Sequence, residues 1–507
     1  MARIAVIGAG MASMAAAARL ATGGHRVVVH ERAGTYGGGV GRVARDGFAF
    51  DTGPGLLTLP AVYRDLFVKT GKESLEDRVD LVQVDPAGRH LFADGTSVTL
   101  PNASRSGVIA ALDAAFGAGS GERWSEVLVK ARATWEAVRR PMLEEVLRDP
   151  ALAARDPYPA PAIRGLFRRA APPTLAGVAA AELGDPRLAA VLESWALGAG
   201  LDPRTAPASA TVLPYLEATF GLWYARGGMR ALADALYERC LARGVEFRFD
   251  AEVTGLLTSE KGAAAGVELA DGTRCEADVV VAGAPLPALY RDQVVPWERQ
   301  DAWPPMGPVG EPGRCTVHLA LRGARPADAA HRAVVHAADR GAALDWLFRP
   351  RREALPRPGA LTVGVLRPDD PAVRPDDGHE AVTVVATVPA HQAGGVDWDA
   401  PGVAEGVAAR MVEAAEAAVP GLRERELWRE VRTPADAERA TGAPGGSVPA
   451  PTLPGIDGAL VRAPNRAAPP GLYVVGGWAH PGGGLPHAGM SAAITADLVA
   501  GGPGGST

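Results

Sequence analysis

The sequence predicts an α/β protein in which both ends of the chain build one nucleotide-binding domain. Three observations lead there. An apolar run ends in Gly8-Ala9-Gly10 before an alanine-rich helix, a second glycine cluster follows the next apolar run, and a third glycine-rich segment near residue 480 again joins a strand-like run to a helix. With 507 residues, 47% of them hydrophobic and 22% charged, the chain can bury the cores of two or three domains.

The elements follow in order. Arg3–Ile7 reads as a buried strand, and Gly8 allows the sharp turn off it. Gly10 lets backbone N–H groups approach a diphosphate, and the helix that follows, with Met11, Ala12 and Ser13 in its first turn, points its positive end at that anion. Ser13 stands where the G-x-G-x-x-G fingerprint has its third glycine, a position that mainly serves close helix–strand contact. The second strand, Val27–Val29, leads to Glu31, placed to accept hydrogen bonds from an adenosine ribose, and to Arg32. Gly37-Gly38-Gly39 then suits a loop passing the diphosphate and sugar of a cofactor larger than a nicotinamide dinucleotide, which points to FAD.

Further on, Leu81–Val84 and His90–Phe92 flank Asp85–Gly88 and read as a hairpin, and a second turn at Ala93–Gly95 leads into Val98–Leu100. Residues 105–205 are helical in pattern, with proline-rich breaks at Pro157–Pro161 and Pro172-Pro173. A helix over 228–243 precedes strands at 245–249, 252–257, 265–269 and 278–283, and an amphipathic helix is expected over Gly402–Val419. Tyr473–Val475 reads as a buried strand ended by Gly476-Gly477, and the glycine loop His480–Pro486 leads to a helix over Met490–Val499 and a frayed tail from Gly501.

Taken together, Ala5–Gly10, Glu31-Arg32, Gly37-Gly38 and Asp46–Pro60, then Pro214–Glu217 and Gly221–Met229, then Gly471–Gly477 and His480–Pro486 resemble the phytoene desaturase-like branch of the FAD-dependent flavin-containing amine oxidase superfamily. The resemblance spans nearly the whole chain. It implies a glutathione-reductase-like FAD-binding Rossmann domain (1–75, 225–290 and 455–507), a discontinuous mixed α+β substrate domain (76–104 and 291–454), and a helical region (105–224) serving as a substrate entry and membrane-contact lid. It also places Gly53, Pro54, Gly55, Leu56, Val253, Gly476, Gly477, Gly484, Leu485 and Pro486 with the glycines above around FAD, with Val253 at the adenine. A helix start aimed at the flavin would favour the negative charge that reduction brings there.

For chemistry, the polar candidates beside the motifs are Glu217, Tyr224 and His480. Glu217 reads either as a general base, if burial raises its pKa, or as a carboxylate paired with Arg226. Trp223 and Tyr224 could line a substrate tunnel, His480 could be structural or catalytic, and His487 is the other histidine beside a motif. No metal cluster is expected: Cys240, Cys275 and Cys315 form no C-x-x-C pair and fit a reducing cytoplasm. A net charge of −6 gives no reason to expect nucleic acid, and no apolar run reaches the ~18 residues of a membrane span.

The expected function is desaturation of an apolar isoprenoid such as a carotene precursor, by hydride transfer to the flavin. Alternatives are oxidation or isomerisation of another hydrophobic natural product or an amine, or, in a different class, a non-catalytic escort for prenyl lipids. Contact with the inner face of a membrane is expected through the helical region, and the oligomeric state is open.

Overall fold

The computed structural model describes residues 1–147, 154–159, 173–295, 311–349, 353–392, 395–455 and 462–501. Its centre is a five-stranded parallel sheet in the order Leu472–Val474, Val279–Ala282, Arg3–Ile7, Arg26–His30, Glu246–Arg248. The two ends of the chain thus meet in one sheet, with the middle of the chain inserted between them. Arg3–Ile7 is buried on both faces, as a central parallel strand must be. Ile4 and Val6 point into one core, Ala5 and Ile7 into another. The helix Met11–Thr22 buries Ala15, Ala16, Ala17 and Ala18 completely. These small side chains let it pack closely against the sheet, the helix Arg230–Ala242 and the C-terminal helix Leu485–Val499.

A seven-stranded mixed sheet forms a second layer, ordered Glu426–Arg432, Gly313–Arg322, His379–Val388, Val363–Leu366, Arg332–Val335, Gly88–Leu91, Ser97–Leu100. The two-residue period of a strand divides its faces. Cys315, Val317, Leu319 and Leu321 enter a core with the helix Val403–Ala415, while Arg314 and Thr316 on the same strand face a cavity. A three-stranded antiparallel sheet (Val253–Thr258, Ala264–Leu269, Arg274–Glu276) flanks the first. Helices Arg105–Phe116, Ser120–Arg139, Leu175–Glu182, Pro186–Gly198 and Val212–Phe220 gather around buried Leu112, Trp124, Leu188 and Leu192, and two of them, Pro186–Gly198 and Val212–Phe220, line the cavity.

Two expectations are corrected. The hairpin between 81–84 and 90–92 does not form. Leu81–Gln83 pairs with Trp223–Ala225, and Gly88–Leu91 pairs with Ser97–Leu100 around the Ala93–Gly95 turn. The first strand's hydrogen bonds are already taken: the Val84 N–H donates to the Leu222 carbonyl, and the Asn102 amide donates to the carbonyls of both Val84 and Leu222. The C-terminal helix starts at Leu485, five residues before the expected Met490, because Pro486 fits the first helical turn, where its missing N–H costs nothing. The proline-rich breaks fall partly outside the described residues, and the tail beyond Gly501 falls wholly outside them. Among the described residues no helix is long and apolar enough to cross a membrane.

Candidate cofactor and substrate site

One cavity of about 1140 Å³ runs from the carboxyl ends of the parallel strands to the space between the seven-stranded sheet and the helices. All the residues expected to hold the cofactor line it, from Gly8 and Gly10 through Glu31, Gly37–Gly39, Gly53–Leu56 and Val253 to Gly476, Gly477 and Gly484–Pro486.

At the strand end the walls are backbone. Gly8 adopts φ +87°, the left-handed conformation glycine tolerates, and donates its N–H to the His30 carbonyl at 2.8 Å. Gly10 begins the first helix without a side-chain cap, and a Cβ there would meet nothing within 4 Å, so the first helical N–H groups open onto free space. The three glycine loops lie against one another. A Cβ on Gly38 would come within 3.1 Å of the Gly10 Cα, and one on Gly53 within 2.2 Å of the Gly39 carbonyl oxygen. The C-terminal helix also opens into the cavity, begun by Gly484 without a side-chain cap. The Tyr63 hydroxyl fixes that turn, donating to the Leu485 carbonyl at 2.9 Å.

Glu31 is held by its own loop. One carboxylate oxygen accepts the Ala9 N–H at 2.6 Å and the other the Ala33 N–H at 2.9 Å, which fixes the carboxylate at the cavity wall with lone pairs left for a diol. Two uncapped helix starts, a side-chain-free glycine cradle and a fixed carboxylate fit FAD.

Gly283 is a site residue that sequence reasoning passed over. A Cβ there would lie 1.8 Å from the Ser13 Oγ and 3.3 Å from the Ile7 carbonyl oxygen. The room normally given by the missing third fingerprint glycine is supplied instead from across the gap, so Ser13 fits, 1% exposed, with its hydroxyl unpartnered. The trace in the sequence is Gly283 itself, directly after the strand Val279–Ala282.

The polar candidates separate. Glu217 lines the cavity, but it is bound to Arg332, not to Arg226. One of its oxygens accepts from the Arg332 guanidinium at 2.9 Å and from the Trp195 indole at 3.1 Å, and the other accepts the second arm of Arg332. Arg226 pairs instead with Asp80 at 3.2 Å. Tyr224 and Trp223 are not on the cavity wall. Tyr224 is buried and donates its hydroxyl to Asp370 at 2.9 Å, beside a small pocket of about 40 Å³ that adjoins the cavity at Gly53, Gly55, Leu366 and Thr383. His480 is fully buried behind the wall, with its Nε2 3.1 Å from the Glu145 carbonyl oxygen. His487, by contrast, lines the cavity with its Nδ1 unpartnered, and burial pushes it down to about 4. His90, Trp195, Arg314 and Arg332 also line the wall. They come from a sheet and a helix far apart in sequence, and no local spacing marks them.

Comparison with known proteins agrees with this geometry. Residues 11–384 match the family of flavin containing amine oxidoreductases. The chain is 28% identical to a 4,4'-diapolycopene oxygenase of a Methylomonas species over 510 residues, 98% of each protein. It is 29% identical to the zeta-carotene-forming phytoene desaturase of Myxococcus xanthus over 437 residues, 86% of this chain and 81% of the relative. In fold it is similar to an oxidoreductase from Methanosarcina mazei (TM-score 0.63, 16% identity, 97% and 99% of the two chains). It is similar also to putrescine oxidase (TM-score 0.61, 16% identity, 98% and 99%). The chain belongs to the flavin-containing amine oxidoreductase family and is an FAD-dependent oxidoreductase of phytoene desaturase type.

Proposed function

We propose that this enzyme introduces C=C bonds into a long apolar isoprenoid, a carotenoid precursor, with Gly8–Ser13, Glu31, Gly37–Gly39, Gly53–Leu56, Val253 and the Gly476–Pro486 turns holding FAD. The observation that carries the reading is the continuity of the cavity. The nucleotide cradle opens, without an intervening wall, into a chamber lined by Leu213, Leu216, Leu344, Trp346, Leu347, Leu361 and Val385. A hydrocarbon offers no hydrogen bonds, so such a chamber must hold it by burial, worth roughly 25 cal/mol per Å² of apolar surface. Orientation and exclusion of water then supply most of what the reaction needs from the protein.

Bound FAD supplies the acceptor for two electrons and a hydrogen from carbon. The chain's own residues do the rest. The uncapped starts of the helices Met11–Thr22 and Leu485–Val499 present backbone N–H groups to negative charge. Glu217 has both oxygens engaged, so it serves as a fixed anion that neutralises Arg332 in the chamber wall and not as a free base. Glu217 is already bound to a cation, so it offers no free carboxylate to an ammonium group.

The helices over 105–224 form the lid in this reading, and they meet a bilayer when substrate enters. Co-sedimentation with anionic liposomes tests that part, and protein left wholly in the supernatant would count against it. The chemistry is tested by anaerobic incubation of the FAD-loaded enzyme with a hydrocarbon polyene, an amine and buffer. Flavin bleaching by the polyene alone is expected. Bleaching by the amine alone would move the enzyme to amine oxidation. Prenyl-lipid binding with no bleaching by either would leave only an escort.

A further inference from the structure

We infer that the preferred substrate is not a bare hydrocarbon but a long apolar chain ending in an oxygen acceptor, a carbonyl or carboxylate, which docks on Arg314. The inference rests on the desaturase reading and narrows it.

Arg314 is the odd charge in the cavity. It projects from the strand Gly313–Arg322 onto the face that lines the chamber. Its neighbour Cys315 enters the core on the other side. One arm of the guanidinium donates to the Thr387 hydroxyl at 2.6 Å and the other to the Gly198 carbonyl. Among the described residues it has no carboxylate partner, in contrast to Arg332 with Glu217, Arg239 with Glu73, Arg367 with Glu380 and Arg462 with Glu311. Two of five N–H groups are used, and the others have open cavity beside them. Desolvation by the surrounding protein pushes this guanidinium down to about 10, with no carboxylate to offset it.

Holding the helix end accounts for one arm of this charge: Gly198 ends the helix Pro186–Gly198, and a cation at that carboxyl end complements the helix dipole. The donors left over are the ones a ligand would use. The surroundings are also polar just here. Thr316 lies two residues on along the same face, and Arg432 stands opposite it on the neighbouring strand. The chamber is therefore apolar along the helices and cationic at one corner of the sheet. That corner adjoins the cofactor end: Pro312 accepts the Val448 N–H at 3.0 Å, and a Cβ on Gly477 would strike Pro449 at 2.6 Å. A guanidinium recognises carbonyl and carboxylate oxygens through paired N–H donors. Such a corner fixes which end of a long, otherwise featureless chain enters first.

The test compares two polyenes of equal length, one hydrocarbon and one ending in a carboxylate, titrated against the FAD-loaded enzyme by flavin difference absorbance. Expected is a ratio of dissociation constants favouring the carboxylate at least tenfold in the wild type. The ratio should collapse to within twofold of unity in Arg314→Met and be largely retained in Arg314→Lys. Equal affinity of the wild type for both polyenes would overturn the inference while leaving the desaturase reading intact. Binding of neither would overturn both. A ratio unchanged in Arg314→Met, or a flavin spectrum altered by either variant before any polyene is added, would assign Arg314 to the helix end or to the cofactor instead. Thermal melting of each variant separates loss of fold from loss of recognition.

Discussion

At the scale of single residues, Ser13 and Gly283 form a complementary pair. Either position can carry a side chain beyond the backbone, but not both. Gly283→Ala is expected to cost about 1–3 kcal/mol, as overpacking a buried contact does, and to weaken FAD binding, because both residues line the cradle. Adding Ser13→Gly removes the atoms 1.8 and 3.2 Å from the new methyl group, so the double variant should recover most of the loss. Thermal melts and FAD titrations of the four proteins give the coupling, and strictly additive effects would contradict the packing argument. The pair also marks how far sequence reading reaches. Ser13 is visible as a departure from a motif of fixed spacing. Its compensation 270 residues later is not, since only the parallel register of Arg3–Ile7 with Val279–Ala282 brings the two together. Glu217 shows the same limit: its partner, Arg332, is set by tertiary packing, while the nearer Arg226 turns outward to Asp80.

At the scale of elements, motif-bearing segments were legible and strand partners were not. Gly-Ala-Gly turns, an alanine-rich helix and runs of β-branched residues carry their own local physics, so both ends of the parallel sheet could be read directly. The strand Leu81–Gln83 is short and half-buried, and its choice of Trp223–Ala225 over the adjacent Gly88–Leu91 depends on Asn102 bridging between loops. The join between the helix Val212–Phe220 and the strand Arg332–Val335 is the Glu217–Arg332 pair, which ties the helical cover to the sheet. Glu217→Gln leaves the Arg332 charge without its counter-charge and is expected to lower stability by about 3–5 kcal/mol. Glu217→Leu with Arg332→Leu should restore much of that, measured by chemical denaturation. A Glu217→Gln enzyme of undiminished stability that had lost all turnover would return Glu217 to the role of base.

At the scale of the whole molecule, the buried histidines set the response to acid. His30, His318, His331, His336, His480 and His487 are each pushed down to about 4, chiefly by burial, from the usual 6.5. The fold keeps them neutral, while the unfolded chain takes up protons below pH 6.5. Their stabilising contribution is therefore complete above that pH and is lost as the pH falls toward 4. Asp51 opposes the trend: burial raises its carboxyl to about 6, so its neutral form favours the fold as the pH falls through that value. Seven imidazoles, with His90 also lowered by burial, against the two raised carboxyls of Asp51 and Asp156 predict a melting temperature that drops steeply between pH 6.5 and 4.5. A flat or rising profile would contradict the assignment of these imidazoles as buried and neutral.

The same scale holds the functional claim, that one cavity joins a dinucleotide cradle to a chamber for a long apolar chain. The most direct measurement is a single-turnover reaction under anaerobic conditions, with FAD-loaded enzyme in excess over an isoprenoid polyene. Flavin absorbance and product mass are followed together. The account predicts one flavin reduced for each product molecule that is lighter by two hydrogens, with both appearing at the same rate. Flavin that stays oxidised while the polyene is bound, or product formed without any flavin reduction, would contradict it.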